Sequence, residues 1–236
     1  MQGKIALEEH FAVTETQNPV APKSLQADLL DFEAKRLEEM DLFGIEFAVL
    51  SLNAPAVQEV LDVEGAVALA QQTNDMLAEQ VARHPSRFAG LGALPLQDPD
   101  AAITELHRCV NDLGFVGVNV NGFSQKEEEY SHLYYDLPEY RPFWAEVEKL
   151  GVPFYMHPRN PLTDHMPMYD GHPWLTYATW AFAMETSVHA LRLMCSGLFD
   201  EHPDLQLILG HLGERIPFDL WRLDHRLEVD PKGVPA

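Results

Sequence analysis

Two side chains near the start of the chain have the chemistry of metal ligands. Glu8 and His10 close an apolar run that begins at Ile5. Side chains two residues apart point the same way along an extended strand, so Glu8 and His10 share one side and Glu9 faces the other. A carboxylate and an imidazole on one side make half of a divalent metal site. Alone, the pair is better explained as the charged end of an edge strand. The metal-site interpretation therefore depends on further ligands elsewhere in the chain.

Three residues far along the chain supply those partners. His157 ends the apolar run from Val152, His211 ends another, and Glu214 follows three residues later. Each histidine alone is more often a hydrogen-bonded residue at a strand terminus. Three histidines and a glutamate, each at the carboxyl end of a predicted strand, together favour metal chemistry. The other histidines fall in predicted helices or loops, and we expect surface residues or neighbours of the site: His84, His107, His132, His165, His189 and His202.

Strand and helix patterns alternate six times. Nearly continuous apolar runs separated by helical spacing are typical of a buried parallel sheet. The predicted strands are Ile5–Leu7, Phe47–Leu52, Phe88–Leu96, Phe115–Val120, Val152–His157 and Leu205–His211.

The helical spacing predicts where several connections begin and end. One helix is expected through Leu29 to Phe43, with Gly44 as its cap, and another starts at Asp98-Pro99. The remaining predicted segments are a long helix through Val67 and Val81, a polar loop Ser124–Pro138, a helix Arg141–Leu150, a loop to about Trp174, an apolar helix to Phe199, and a helix from Ile216 to about Arg226.

Such a sheet can remain open and doubly wound or close into a (β/α) barrel. An open sheet usually has a glycine-rich turn after its first strand, but Glu8-Glu9-His10 stands there and no GxGxxG motif or Walker-type loop occurs. Polar residues at the carboxyl ends of several strands are typical of a barrel active site. The barrel is therefore the preferred architecture, although it requires eight strands.

Composition limits the partners. The 236 residues, 46% of them hydrophobic, predict one domain spanning 1–236. A formal charge of −21 argues against nucleic acid or anionic membrane as a partner, because both require cationic residues. There is no apolar run long enough to span a membrane and no signal-like start. Cys109 and Cys195 are expected to be reduced and buried, and we predict a cytoplasmic protein.

Seven motifs, in order from residue 2 to about Arg226, carry a specific resemblance. They resemble the metal-dependent decarboxylase branch of the amidohydrolase superfamily, in particular the members that act on γ-resorcylate (2,6-dihydroxybenzoate). The motifs are Gln2-Gly-Lys-Ile-Ala-Leu-Glu-Glu-His-Phe11, Leu50-Ser-Leu-Asn-Ala-Pro-Ala56, Leu94-Pro-Leu-Gln-Asp-Pro-Asp100, Asn121-Gly-Phe-Ser124, His157-Pro-Arg-Asn-Pro161, Tyr169-Asp-Gly-His-Pro-Trp174 and Leu209-Gly-His-Leu-Gly-Glu214.

The resemblance implies a non-oxidative, reversible decarboxylation of 2,6-dihydroxybenzoate to resorcinol and carbon dioxide. It also implies a manganese or zinc cofactor, an amidohydrolase-type (β/α)8 barrel of which this chain holds the first six units, and a homotetramer or homodimer. By motif, the metal ligands are Glu8, His10 and His157, the catalytic pair is His211 and Glu214, and the substrate contacts are Asn121 and Arg222.

Two features depart from the family pattern. The family's metal-binding aspartate at the end of an eighth strand has no equivalent, since Asp224 and Asp230 lie in or beyond the sixth helix. We therefore expect a domain incomplete at its carboxyl terminus and, if this is the full-length product, a destabilised monomer of weak activity. The first loop, Ala12 to Leu30, is also short and lacks an aromatic residue to cover the substrate.

Two other functions stay open at the level of sequence. The same site could serve a metal-dependent hydrolase, with water as the nucleophile, as elsewhere in the superfamily. Alternatively, the chain could be a truncated, non-catalytic paralogue that assembles with longer subunits.

Overall fold

A parallel sheet forms the centre of the molecule. The computed structural model describes residues 3–19, 21–162 and 166–234, and the prediction for His165 lies outside them. The strands are β1 (Lys4–Phe11), β2 (Ile45–Leu52), β3 (Phe88–Ala93), β4 (Gly117–Asn121), β5 (Ser124–Lys126), β6 (Glu128–Leu133), β7 (Phe154–His157) and β8 (Leu207–Leu209). Six of them form the parallel sheet, in the order β1-β2-β3-β4-β7-β8. The predicted six-stranded parallel sheet is confirmed.

Helices cross over between these strands. They are α1 (Lys23–Leu30), α2 (Lys35–Phe43), α3 (Val63–Arg83), α4 (Pro99–His107), α5 (Arg141–Leu150), α6 (Ala181–Met194), α7 (Leu198–Glu201), the one-turn α8 (Gly210–Gly213) and α9 (Ile216–Val229). Two predicted boundaries are confirmed: Gly44 caps α2 with a φ of 68°, and the Asp98 carboxylate accepts hydrogen bonds from Asp100 N and Ala101 N at the start of α4. Within the described ranges, no helix has the length and apolarity needed to cross a membrane.

The prediction of one helix through Leu29 to Phe43 is wrong, because the chain breaks at Asp31. The Asp31 carboxylate accepts hydrogen bonds from four backbone N–H groups at the start of α2, those of residues 33 to 36. These groups have no partner inside the helix, so an acidic side chain just before them favours a new helix start over continuation. Apolar spacing does not reveal this break.

Two further predicted segments need correction. The polar loop Ser124–Pro138 contains an antiparallel hairpin of β5 and β6, whose polar residues lack the alternation by which strands are recognised. The apolar helix expected to reach Phe199 is α6, which begins at Ala181 after several short 3-10 segments and ends at Met194.

Alternate residues of the strands face two different environments. Phe154 and Met156 of β7 pack against the helices, together with Trp144 of α5. Tyr155 lies between them in sequence and packs on the other face of the sheet, in a small buried cluster with Val49 and Leu91. The period-2 alternation of β7 therefore places His157, two residues after Tyr155, on this second face.

The sheet is strongly curved. β1 and β7 are separated in the sheet by β2, β3 and β4. Four strand spacings of about 4.8 Å would hold them roughly 19 Å apart in a flat sheet. The Tyr155 hydroxyl of β7 nevertheless donates a hydrogen bond to Glu8 of β1. The sheet therefore curls into part of a barrel wall, and its concave face brings the first strand to the last two.

Candidate metal centre and active site

A register shift in β1 directs Glu8 and His10 to the concave face. Ala6 pairs with Ala48 and Glu9 pairs with Leu50, so β1 contains one more residue than β2 between these two pairs. Ala6 packs with the helix-side core, whereas Glu8 reaches Tyr155 on the concave face. An extra residue of this kind re-aims the side chains that follow it, which strict alternation from the sequence does not anticipate.

The Glu8 carboxylate is the centre of the cluster. Its Oε1 lies 3.2 Å from His211 Nε2 and 3.7 Å from His157 Nε2. Its Oε2 accepts hydrogen bonds from Tyr155 Oη and, at 3.2 Å, from His211 N. Burial raises the pKa of Glu8, but the hydrogen bonds from His211 and Tyr155 outweigh it and hold the pKa well below its usual range. Glu8 is therefore an ionised ligand at neutral pH.

His10 and His157 present buried imidazoles beside Glu8. Their ring centroids are 4.4 Å apart, and Ser51 Oγ lies 3.0 Å from His10 Nδ1. His10 Nε2 and His157 Nδ1 are buried and have no hydrogen-bond partner among the residues that the structure describes. Burial lowers the pKa of His10, and burial together with the His10 charge lowers the pKa of His157 to about 3. Both rings are therefore neutral, the form in which imidazole binds metals.

His211 lies in a left-handed turn, rather than at the end of the strand as the sequence predicted. β8 ends at Leu209, and φ is positive at four consecutive residues: 48° at His211, 59° at Leu212, 76° at Gly213 and 50° at Glu214. The turn brings Glu214 Oε1 to 2.9 Å from His211 Nδ1. Hydrogen bonding to Glu8 raises the pKa of His211, and burial raises that of Glu214. His211 and Glu214 therefore lie in contact beside Glu8.

Asn121 and Arg222 have different surroundings. Asn121 is buried at the end of β4, paired in register with His157, and its side-chain amide donates to Asn53 O at 3.1 Å. Arg222 is exposed on α9, and no contact joins its guanidinium to Glu8, His157 or His211 among the described residues. The fold therefore brings Asn121 beside the cluster and leaves Arg222 on the surface.

Tyr155 and Phe182 were not predicted from the sequence. Tyr155 bonds to Glu8, and the Phe182 ring centroid lies 6.0 Å from that of His211. Alternation along β7 could have identified Tyr155, because it precedes His157 by two residues. Phe182 begins α6 after a long irregular stretch, and no local pattern places it. Among the remaining histidines, His189 is completely buried, so it is not a surface residue.

A cavity adjoins the cluster at the carboxyl ends of the strands. Its volume is about 600 Å³, within the range of small-molecule sites. Its lining includes Pro55 after β2, Arg159 and Asn160 after β7, and the ring of Phe182. Phe182 links this cavity to the cluster, because its ring centroid lies 6.0 Å from that of His211.

The donor set fits a divalent metal ion. One ligand atom from each of Glu8, His157 and His211 lies within 4.8 Å of the others. His10 adds a buried imidazole nitrogen without a partner on the side of His157. A carboxylate with neutral imidazoles suits manganese, iron or zinc better than calcium or magnesium, which prefer oxygen ligands alone. The site therefore has the ligands of a transition-metal centre.

A partial parallel barrel with this metal centre defines the class of protein. The profile described as amidohydrolase matches residues 13–227, and the chain belongs to that family.

Three similar proteins narrow the class further. The chain is 62% identical over 233 residues to the gamma-resorcylate decarboxylase of Rhizobium sp. (strain MTP-10005), covering 96% of this chain and 71% of that protein. A 2,6-dihydroxybenzoate decarboxylase solved in complex with 2,6-dihydroxybenzoate matches 100% of this chain and 74% of its own, with 60% identity and a TM-score of 0.94. A dihydroxybenzoic acid decarboxylase from Polaromonas sp. JS666, solved with manganese and 2-nitroresorcinol, is 55% identical with a TM-score of 0.93, covering 97% of this chain and 71% of that one. This chain accordingly has a divalent metal site of the kind that holds manganese in its relatives.

Proposed function

We propose that the chain catalyses the reversible, non-oxidative decarboxylation of 2,6-dihydroxybenzoate to resorcinol and carbon dioxide. The observation that carries the proposal is the convergence of Glu8, His157 and His211 in a chain 62% identical to a gamma-resorcylate decarboxylase. The relatives named above are decarboxylases, which favours this activity over hydrolysis or a non-catalytic role.

Glu8, His10 and His157 are the proposed metal ligands, with manganese as the ion and zinc as the second choice. Glu8 brings the negative charge, His157 Nε2 lies 3.7 Å from Glu8 Oε1, and His10 Nε2 is buried with no hydrogen-bond partner among the described residues. A divalent ion bound there supplies positive charge for the carboxylate and the ortho oxygen of the substrate. Without it, a chain of formal charge −21 would repel an anionic substrate.

His211 and Glu214 are the proposed catalytic pair. The ring carbon that bears the carboxylate must gain a proton; the carbon–carbon bond then breaks, its electron pair returns to the ring, and carbon dioxide leaves. Hydrogen bonding to Glu8 raises the pKa of His211, and Glu214 Oε1 lies 2.9 Å from His211 Nδ1. A positioned acid of this type contributes about 10²- to 10⁴-fold to a rate.

Asn121 and Arg222 are the proposed substrate contacts, from different subunits of a homotetramer or homodimer. Asn121 lies beside His157 at the floor of the site. Arg222 is surrounded on α9 by large exposed apolar side chains, Phe218 at 89% and Trp221 at 78% exposure, which supports a subunit contact there. A second copy packed on this face would bring a cation to a site that is otherwise acidic.

The chain is proposed to contribute the first six βα units of a single (β/α)8 barrel domain, residues 1–236, in a cytoplasmic protein. β1 and β8 each have one neighbour in the sheet, and Ile5 and Leu7 of β1 are 63% and 58% exposed. Two further parallel strands between β1 and β8 would cover these edges.

Chromatography of resorcinol formed from 2,6-dihydroxybenzoate by the manganese-loaded chain tests the activity. We expect resorcinol and one equivalent of carbon dioxide, with a rate about 10²- to 10⁴-fold lower in His211→Asn. His202→Asn is the matched control, because His202 bonds Glu148 away from the cluster. A metal-loaded chain that releases no carbon dioxide but cleaves an amide or lactone would contradict the proposal and support a hydrolase.

A further inference from the structure

Tyr155 fixes one half of the Glu8 carboxylate. Its hydroxyl and the backbone N–H of His211 both donate to Glu8 Oε2. The other oxygen, Oε1, is thereby turned towards His211 Nε2 and His157 Nε2, at 3.2 and 3.7 Å. The two donors thus determine which carboxylate oxygen faces the imidazoles.

Packing alone does not account for the hydroxyl. The Tyr155 ring is 6% exposed and packs against Val49 and Leu91, an apolar environment that a phenylalanine would fill equally well. A buried hydroxyl is costly unless it is hydrogen-bonded, and here its partner is Glu8. The hydrogen bond to the Glu8 carboxylate therefore explains the Tyr155 hydroxyl, which packing in the core does not require.

Ser51 acts in the same way on His10. β1 and β2 pair these two residues in register, and Ser51 Oγ lies 3.0 Å from His10 Nδ1. With Nδ1 engaged, the free nitrogen of the ring is Nε2, which is buried and has no partner. A hydrogen bond at one ring nitrogen sets which nitrogen is presented to a metal.

We propose that Tyr155 and Ser51 are positioning residues, whose hydroxyls hold Glu8 and His10 in the orientation that binds the divalent ion. The inference rests on the metal-ligand roles proposed above for Glu8 and His10. Each hydroxyl contacts the side chain of a proposed ligand, Glu8 for Tyr155 and His10 for Ser51. Their effect is to orient the ligands before the ion arrives, so their loss weakens metal binding and leaves the fold intact.

Titration calorimetry with Mn²⁺ on the metal-free chain tests the inference. Tyr155→Phe and Ser51→Ala are each expected to raise the Kd for Mn²⁺ by about 10- to 100-fold, the usual effect of removing a partner of a metal ligand. Tyr140→Phe is the matched control: it removes another buried tyrosine hydroxyl, bonded to Leu96 O at 2.8 Å and remote from Glu8, and should leave the Kd unchanged. The metal-free melting temperature of Tyr155→Phe should be no lower than that of Tyr140→Phe.

The outcomes separate this inference from the proposed function. A Kd for Mn²⁺ in Tyr155→Phe and Ser51→Ala equal to that of the unsubstituted chain overturns the inference, even if resorcinol is formed. Tight Mn²⁺ binding by the unsubstituted chain without decarboxylation overturns the proposed function and leaves the positioning role standing. If Tyr155→Phe does not fold, the Mn²⁺ affinity of Ser51→Ala decides alone. Absence of Mn²⁺ binding by the unsubstituted chain overturns the inference as well.

Discussion

Leu212 allows the strain in the turn that carries His211 and Glu214 to be measured. It has φ 59° and ψ 30°, in the left-handed region, and its side chain is 96% exposed. Substituting Leu212→Ala removes almost no buried surface and keeps the Cβ atom, so the free energy of unfolding should hardly change. Substituting Leu212→Gly removes the Cβ atom that makes this backbone conformation unfavourable.

The expected gain follows from two opposing terms. A left-handed conformation costs a residue with a Cβ atom about 1–2 kcal/mol, and glycine avoids that cost. Glycine loses about 0.5–1 kcal/mol through the larger backbone freedom of the unfolded chain. Leu212→Gly should therefore be more stable than Leu212→Ala by up to about 1.5 kcal/mol, the difference of these two terms.

Urea denaturation of the metal-free chain measures this difference, and α9 provides a control of opposite sign. Asp224 is exposed in the middle of that right-handed helix. There, the glycine variant should be less stable than the alanine variant by about 1 kcal/mol. If Leu212→Gly is also less stable than Leu212→Ala, the turn is not left-handed in solution, and the geometry derived for His211 and Glu214 is wrong.

Three further predictions concern packing, pH and metal. Gly122 has φ 64°, and a Cβ atom there would lie 2.5 Å from Arg159 Cγ, so Gly122→Ala should lower the free energy of unfolding by at least about 2 kcal/mol in urea. Gly114→Ala, at φ 70° with nothing within 4 Å, should cost only about 1–2 kcal/mol, and equal losses would contradict the clash. Burial lowers the pKa of His189 from 6.5 to about 3, so the unfolded chain binds the extra proton between these pH values and stability falls as pH falls. Between pH 6 and 4, His189→Gln should reduce the pH dependence of the free energy of unfolding by up to about 1.4 kcal/mol per pH unit. Urea denaturation at several pH values measures this dependence, and the same pH dependence in both proteins would contradict a neutral buried imidazole. Mn²⁺ at 100 times its Kd should raise the free energy of unfolding by about 2.7 kcal/mol, reversed by a chelator, and no shift in thermal melts would exclude binding to the folded chain.

Local patterns in the sequence predicted much of the fold because their causes are local. The cap at Gly44 and the start of α4 at Asp98 depend on one residue and its neighbours, and both are confirmed. The break at Asp31 was missed because its four hydrogen bonds compete with apolar spacing that continues past it. The hairpin of β5 and β6 was missed because it is short and polar.

The sequence by itself determined the residue types of the metal centre and the places of Glu8, His10 and His157 in the end segments of their strands. A parallel sheet brings its carboxyl ends to one edge, so the sequence predicts that Glu8, His157 and His211 meet there. The close set in the structure is these three, with His10 alongside His157, and the ligand roles proposed for Glu8, His10 and His157 stay predictions.

Only the tertiary structure decided how these residues are aimed. Two of the features that aim them depend on contacts between residues more than 30 positions apart: the extra residue in β1 and the curvature of the sheet that brings Glu8 to Tyr155. The third, the left-handed turn at His211, depends on backbone angles that no residue pattern encodes. Spacing along a chain can specify which side chains are available. The direction of a lone pair is set by the partners that hold the side chain, and those partners come together only when the sheet has curved.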